Sequence, residues 1–109
     1  MISNQILQNT IEGLKSITRI DLCIMDTDGK VLASTFSGAE GHEEAVCSFV
    51  DSPADSQVVS GYQFFKVYDD SRLEYVLIVN GGSEDVYMIG KIAAFQIQNL
   101  LVAYKERFD

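Results

Sequence analysis

Between Ser83 and Asp109 apolar residues recur three and four positions apart, and they do so along two lines. Val86, Ile89, Ala93, Ile97, Leu100, Tyr104 and Phe108 form the first; Met88, Ile92, Phe95 and Val102 form the second, further round the same cylinder. The pattern predicts one long helix over 83–109. Its start is marked by the breaker Asn80-Gly81-Gly82 and by Ser83, a good N-cap, with Glu84 and Asp85 where the helix dipole favours negative charge. No C-cap signal follows before Asp109, so the helix is expected to carry on into another part of a longer protein. A helix with two apolar faces needs two partners. Either both faces enter one small core, or one packs on a sheet and the other on a second subunit.

The rest of the chain is built from shorter periods. Ile2, Ile6, Leu7, Ile11, Leu14 and Ile17 make a helical stripe with a cap at Ser3, interrupted only by Gly13. Runs rich in strand-forming residues cover 20–25 and 31–36, and the turn residues Asp26-Thr27-Asp28-Gly29-Lys30 between them predict a hairpin. A loop at 36–41 leads to a middle helix over 42–50 that presents Ala45, Val46, Phe49 and Val50, and Asp51-Ser52-Pro53 ends it. Three strands follow, at 57–59, 62–68 and 73–80. The last is apolar on both sides in its middle, which predicts a central place in the sheet. Helix, hairpin, helix, meander and long helix together describe a single α+β domain of the PAS or profilin-like type, with an antiparallel sheet of about five strands.

Charge and cysteine content narrow the classes of function. The chain has 109 residues, 47% of them hydrophobic, and 16 acidic residues against 8 basic ones give a net charge of −8. That balance opposes phosphate backbones, so direct nucleic-acid binding is not expected. The N-terminus lacks the basic and apolar regions of a signal peptide, and no unbroken apolar run reaches about 18 residues, so a cytoplasmic protein starting naturally at Met1 is expected. Cys23 and Cys47 have neither CxxC spacing nor a second Cys/His pair and read as small buried apolar residues, so no metal or other cofactor is expected. Asp26, Asp28 and Gly29 resemble the start of a calcium loop, but Lys30 stands at a ligand position and Ser37 where a Glu is required; a turn is the better reading.

No catalytic constellation emerges. His42 and Cys47, five apart on a helix, do not face each other, and nothing orients either as a base. Asn80-Gly81-Gly82-Ser83 lacks the glycine spacing of a phosphate loop and reads as turn and cap. His42, beside the loop that would border a pocket between middle helix and sheet, is a candidate ligand contact. Lys66, on an otherwise aromatic strand face, and Arg19, before the first strand, either meet a bound carboxylate or reach solvent.

The run Asp26-Thr27-Asp28-Gly29-Lys30-Val31-Leu32-Ala33-Ser34-Thr35, followed by Gly41-His42-Glu43-Glu44-Ala45, resembles the N-terminal sensor of the carbohydrate-diacid regulators. These are bacterial transcription factors with a PAS-like sugar-diacid-recognition domain. Glu44 replaces the glycine of the family's His-Glu-Gly-Ala helix start. The stretch from Gln96 to Asp109 is similar to the family's linker toward a PucR-type helix-turn-helix. The resemblance implies a non-enzymatic sensor of a small metabolite, with ligand contacts at Ser34, Thr35, His42 and Glu43, joined by Lys66 from the residue reading. It implies a homodimer held through Ser83–Asp109 and the N-terminal helix, and regulation of transcription by an output domain beyond this chain. The rival is a roadblock-like dimeric scaffold of nearly the same element order and without a ligand, which a filled core beneath the middle helix would favour.

Overall fold

The strand that is apolar on both sides is indeed the middle of the sheet. In the computed structural model, which describes residues 2–37 and 41–108, the chain forms α1 (Asn4–Thr18), β1 (Leu22–Met25), β2 (Val31–Ser34), α2 (Glu43–Asp51), β3 (Ser56–Val59), β4 (Tyr62–Asp69), β5 (Arg72–Asn80) and α3 (Glu84–Phe108). All strand pairs are antiparallel, in the order β2-β1-β5-β4-β3. The hairpin and the meander therefore meet where Leu22 faces Val79 and Met25 faces Val76. This is the α+β architecture expected from the sequence. Half of the expected loop at 36–41, residues 38–40, lies outside the described residues, as do Met1, Asp109 and the Phe108 side chain.

Because β1 and β5 are buried on both faces, the helices must cover both. Leu22, Ile24, Leu77 and Val79 face α1 and α3, which contribute Leu7 and Ile11, and Ala93, Ile97 and Leu101. Cys23, Met25, Val76 and Ile78 face α2, which contributes Val46 and Phe49. Phe49 meets Phe64 edge to face, with ring centres 5.8 Å apart. Burying a side chain of that kind contributes about 1.5–3 kcal/mol.

Local chemistry sets the helix ends. Ser3 Oγ accepts from the Ile6 amide at 3.3 Å, and Ser83 Oγ from the Val86 amide at 3.3 Å, as N-caps do. Arg19, in the left-handed region at φ 62°, closes α1 by donating its amide to the Lys15 carbonyl at 2.8 Å. The α1 stripe is narrower than its sequence suggests. Ile17 is 81% exposed, because six positions beyond Ile11 is about 120° round a helix.

Two further differences from the sequence reading have simple causes. Cys23 is buried as expected, but Cys47 is exposed. It follows Val46 by one position, about 100° round α2 from the residue that faces the sheet. The second apolar line of α3 stays out of the core: Met88, Ile92, Phe95 and Val102 are exposed while Ala93 and Ile97 are fully buried. Over its 84–107 stretch α3 has the length and mean hydropathy, 1.3, of a membrane span. Its packing on β4 and β5 instead accounts for the apolar character of one face. Twenty-five residues make a rod of roughly 37 Å, close to the molecule's longest dimension of 39 Å.

Candidate functional site

The Asp26–Lys30 turn is closed by hydrogen bonds among its own residues. Asp26 Oδ1 accepts from the amides of Asp28 and Lys30, each at 2.9 Å, and Gly29 donates its amide to the Asp26 carbonyl at 3.1 Å. Gly29 adopts φ +87°, and a Cβ there would come within 2.7 Å of Glu43 Cα. The glycine thus lets the hairpin turn seat the first residue of α2. Glu43 is exposed and its role in this contact is made by its backbone and inner side chain.

His42 stands at the N-cap of α2 without a side-chain capping bond. Its ring meets Tyr62 at 5.0 Å and Phe64 at 6.2 Å, both edge to face, and Phe36 stacks on Tyr62 at 6.0 Å. Deeper in, the space between α2 and the sheet is occupied. Cys23, Met25, Val46, Phe49, Phe64, Val76 and Ile78 are all 0–1% exposed there. Among the described residues, these side chains fill the buried face of α2.

Ser34 and Thr35 lie on the other side of the hairpin's edge. With Gln8, Glu12, Lys15, Ser16 and Arg19 they line a cleft of ≈ 670 Å³ between α1 and β2, within the range of small-molecule sites. The cleft has a built polar wall. Gln8 caps the sheet edge with both ends of its amide: Nε2 donates to the Ser34 carbonyl at 2.7 Å and Oε1 accepts from the Ser34 amide at 2.9 Å. An edge strand that would otherwise offer a free donor and acceptor is thereby closed. The Leu22 amide donates to Thr35 Oγ1 at 2.9 Å, and Thr35 Oγ1 donates to Asp21 Oδ1 at 2.8 Å. Lys15 Nζ lies 2.7 Å from the same Asp21 oxygen. The Lys15 hydrogen bond, aided by Thr35 and the lysine's charge against the opposing effect of burial, holds the Asp21 carboxyl below its ordinary value. Arg19 makes no ion pair among the described residues.

Lys66 belongs to neither place. It is only 9% exposed, its ammonium donates to the Ser52 carbonyl at the end of α2, and it sits 5.1 Å from the centre of the Phe49 ring. A cation there complements the negative end of the α2 dipole. Lys66 also borders a smaller cleft of ≈ 290 Å³ with Asp55, Tyr68, Lys91, Phe95 and Gln98.

Of the five residues singled out from sequence, the structure therefore groups Ser34 with Thr35, and His42 with Glu43, and sets Lys66 apart. Gln8 and Lys15 were missed. They carried a readable signal: Gln8, Glu12, Lys15 and Arg19 recur at intervals of four, three and four, a polar stripe beside the buried line of α1. Comparison with known proteins finds no family whose sequence profile matches the chain and no similar curated protein.

Proposed function

We propose that this chain is the ligand-sensing and dimerising domain of a bacterial transcription regulator, working in the cytoplasm without catalysis. It binds a small carboxylate of the sugar-diacid kind in the α1–β2 cleft. One observation carries the reading: Ser34 and Thr35 of the family-like hairpin line a ligand-sized cleft that also holds Lys15 and Arg19, in a chain whose net charge is −8. A carboxylate is matched there by the Arg19 guanidinium, whose donors are committed to no ion pair among the described residues. The cleft wall is α1, and α1 packs on α3. A ligand that grips Arg19 and β2 together favours one seating of α1 over another, and that difference in affinity is what would reach an output domain through α3.

Isothermal titration with glucarate, gluconate and glucose tests it. Saturable binding of the diacid, weakened at least tenfold by Arg19→Gly, is the expected result. Heat-silent titrations with every sugar acid would remove the sensor reading. The second reading, a roadblock-like scaffold, has its own supporting observation in the filled space beneath α2. It predicts a dimer that binds none of these acids.

A further inference from the structure

The face of α3 turned from the sheet carries Met88, Ile92, Phe95 and Val102, exposed by 56, 60, 64 and 47%. Asn99, also exposed, falls between Phe95 and Val102. The five recur at intervals of four, three, four and three, the heptad repeat of a coiled coil, with Ile92 and Asn99 at a and Met88, Phe95 and Val102 at d. The core has no need of this line, since Gly90, Ala93, Ala94, Ile97 and Leu101 already fill the side toward the sheet. We infer that the line is a seam for a second copy of this chain, packed parallel and in register along α3. The inference shares with the proposed function the premise that the chain dimerises, and nothing about the ligand.

Self-pairing follows from the repeat, and direction from two residues. In the parallel arrangement each layer meets its own copy, so Asn99 faces Asn99 and the two amides bond each other. A single Asn at an a position sets register and strand number in this way. In the two antiparallel registers that keep most of the seam in contact, Ile92 opposite Val102 or Ile92 opposite Phe95, Asn99 lies opposite Phe95 or Met88 of the second copy, which leaves an amide unpaired. The charges agree. At g, Lys91 falls beside Gln96 of the second copy when the helices run parallel, but near Lys105 in the antiparallel register that sets Ile92 opposite Val102. The four apolar side chains leave roughly 400 Å² bare per copy, so a pair covers roughly 800 Å² before flanking residues are counted, near the ~1,000 Å² at which specific interfaces begin. Glu106 stands at the next a position, so the apolar part of the seam closes at Val102.

The test combines subunit counting with a directional cross-link. Light scattering on the full chain should give a dimer, and Phe95→Glu, a change at an exposed position, should give a monomer with an unaltered circular dichroism spectrum. Asn99→Cys in a Cys47→Ser background should then oxidise to a symmetric disulfide dimer; Cys23 is buried and does not compete. A monomeric wild type, a dimer indifferent to Phe95→Glu, or a dimer that fails to cross-link at position 99 would each overturn the seam. So would a wild-type monomer that partitions onto phosphatidylcholine vesicles, which would assign the same face to lipid. Glucarate titrations on the wild-type chain keep the proposals apart: a wild-type monomer that binds sinks the seam alone, and a cross-linked dimer that binds nothing sinks the sensor alone.

Discussion

Gly90 is where the placement of α3 can be put to a quantitative test. A Cβ at this position would lie within 3.0 Å of Phe65 Cδ2 and nearer still to Cε2 and Cζ, and Phe65 is 2% exposed with no room to retreat. Overpacking of a filled core costs about 1–3 kcal/mol, and a ring that cannot give way puts Gly90→Ala at the upper end. Alanine gains about 1 kcal/mol over glycine as a helix former. The net expectation is a loss of about 2 kcal/mol, or roughly 8 °C in Tm for a chain of this size. Gly13 is the internal control, since nothing lies within 4 Å of its virtual Cβ. There the same substitution should stabilise by about 1 kcal/mol. Thermal and urea melts of both variants, followed by circular dichroism, read the difference. If Gly90→Ala proved as stable as the wild type, α3 would not approach β4 through this face. The exposure of Met88, Ile92 and Phe95 would then lose its basis, because all four positions are fixed by one rotation of the helix.

Other consequences follow from single contacts. Gln8→Ala leaves the Ser34 amide and carbonyl at an open sheet edge and should cost about 1–2 kcal/mol in urea melts; an unchanged midpoint would mean that the amide pair adds nothing over water. Arg19→Gly relieves a left-handed backbone and should raise stability by about 0.5–1 kcal/mol while weakening diacid binding, a pairing of opposite effects that simple misfolding cannot mimic. The Asp21 carboxyl is held low by Lys15, so it binds a proton less readily folded than unfolded; its contribution is complete above about pH 4 and vanishes as pH falls through the lower folded value. Asp21→Asn should therefore lose stability less steeply than the wild type below about pH 4, and superimposable acid limbs would contradict the Lys15 contact. Lys66→Met removes the cation at the end of α2 and should cost about 1–2 kcal/mol with diacid binding intact. Binding lost at full stability would return Lys66 to the ligand contacts.

How much of this was legible depended on whether one residue or two distant ones carried the information. The central place of β5 was readable because a strand buried on both faces has no polar alternation, and Leu73–Asn80 shows none in its middle. The two lines on α3 were readable from period alone, as were the caps at Ser3 and Ser83. The cleft was not. It depends on α1 crossing the edge of β2 so that Gln8 meets Ser34, 26 positions away. A polar stripe on α1 announces an exposed face, and only the tertiary placement turns that face into a wall. Lys66 misled for a related reason: an isolated lysine among aromatic residues suggests a ligand or solvent, whereas its partner is a backbone carbonyl that every residue carries. Cys47 shows the limit of reading an apolar residue as buried, since one helical step from Val46 was enough to expose it.

Native mass spectrometry of the freshly purified chain bears most directly on the central claim, because one spectrum gives both subunit count and any small molecule carried along. The account predicts twice the 12.1 kDa chain mass with a discrete acidic adduct that Arg19→Gly abolishes. A monomer without adduct, under conditions that preserve known weak complexes, would contradict it.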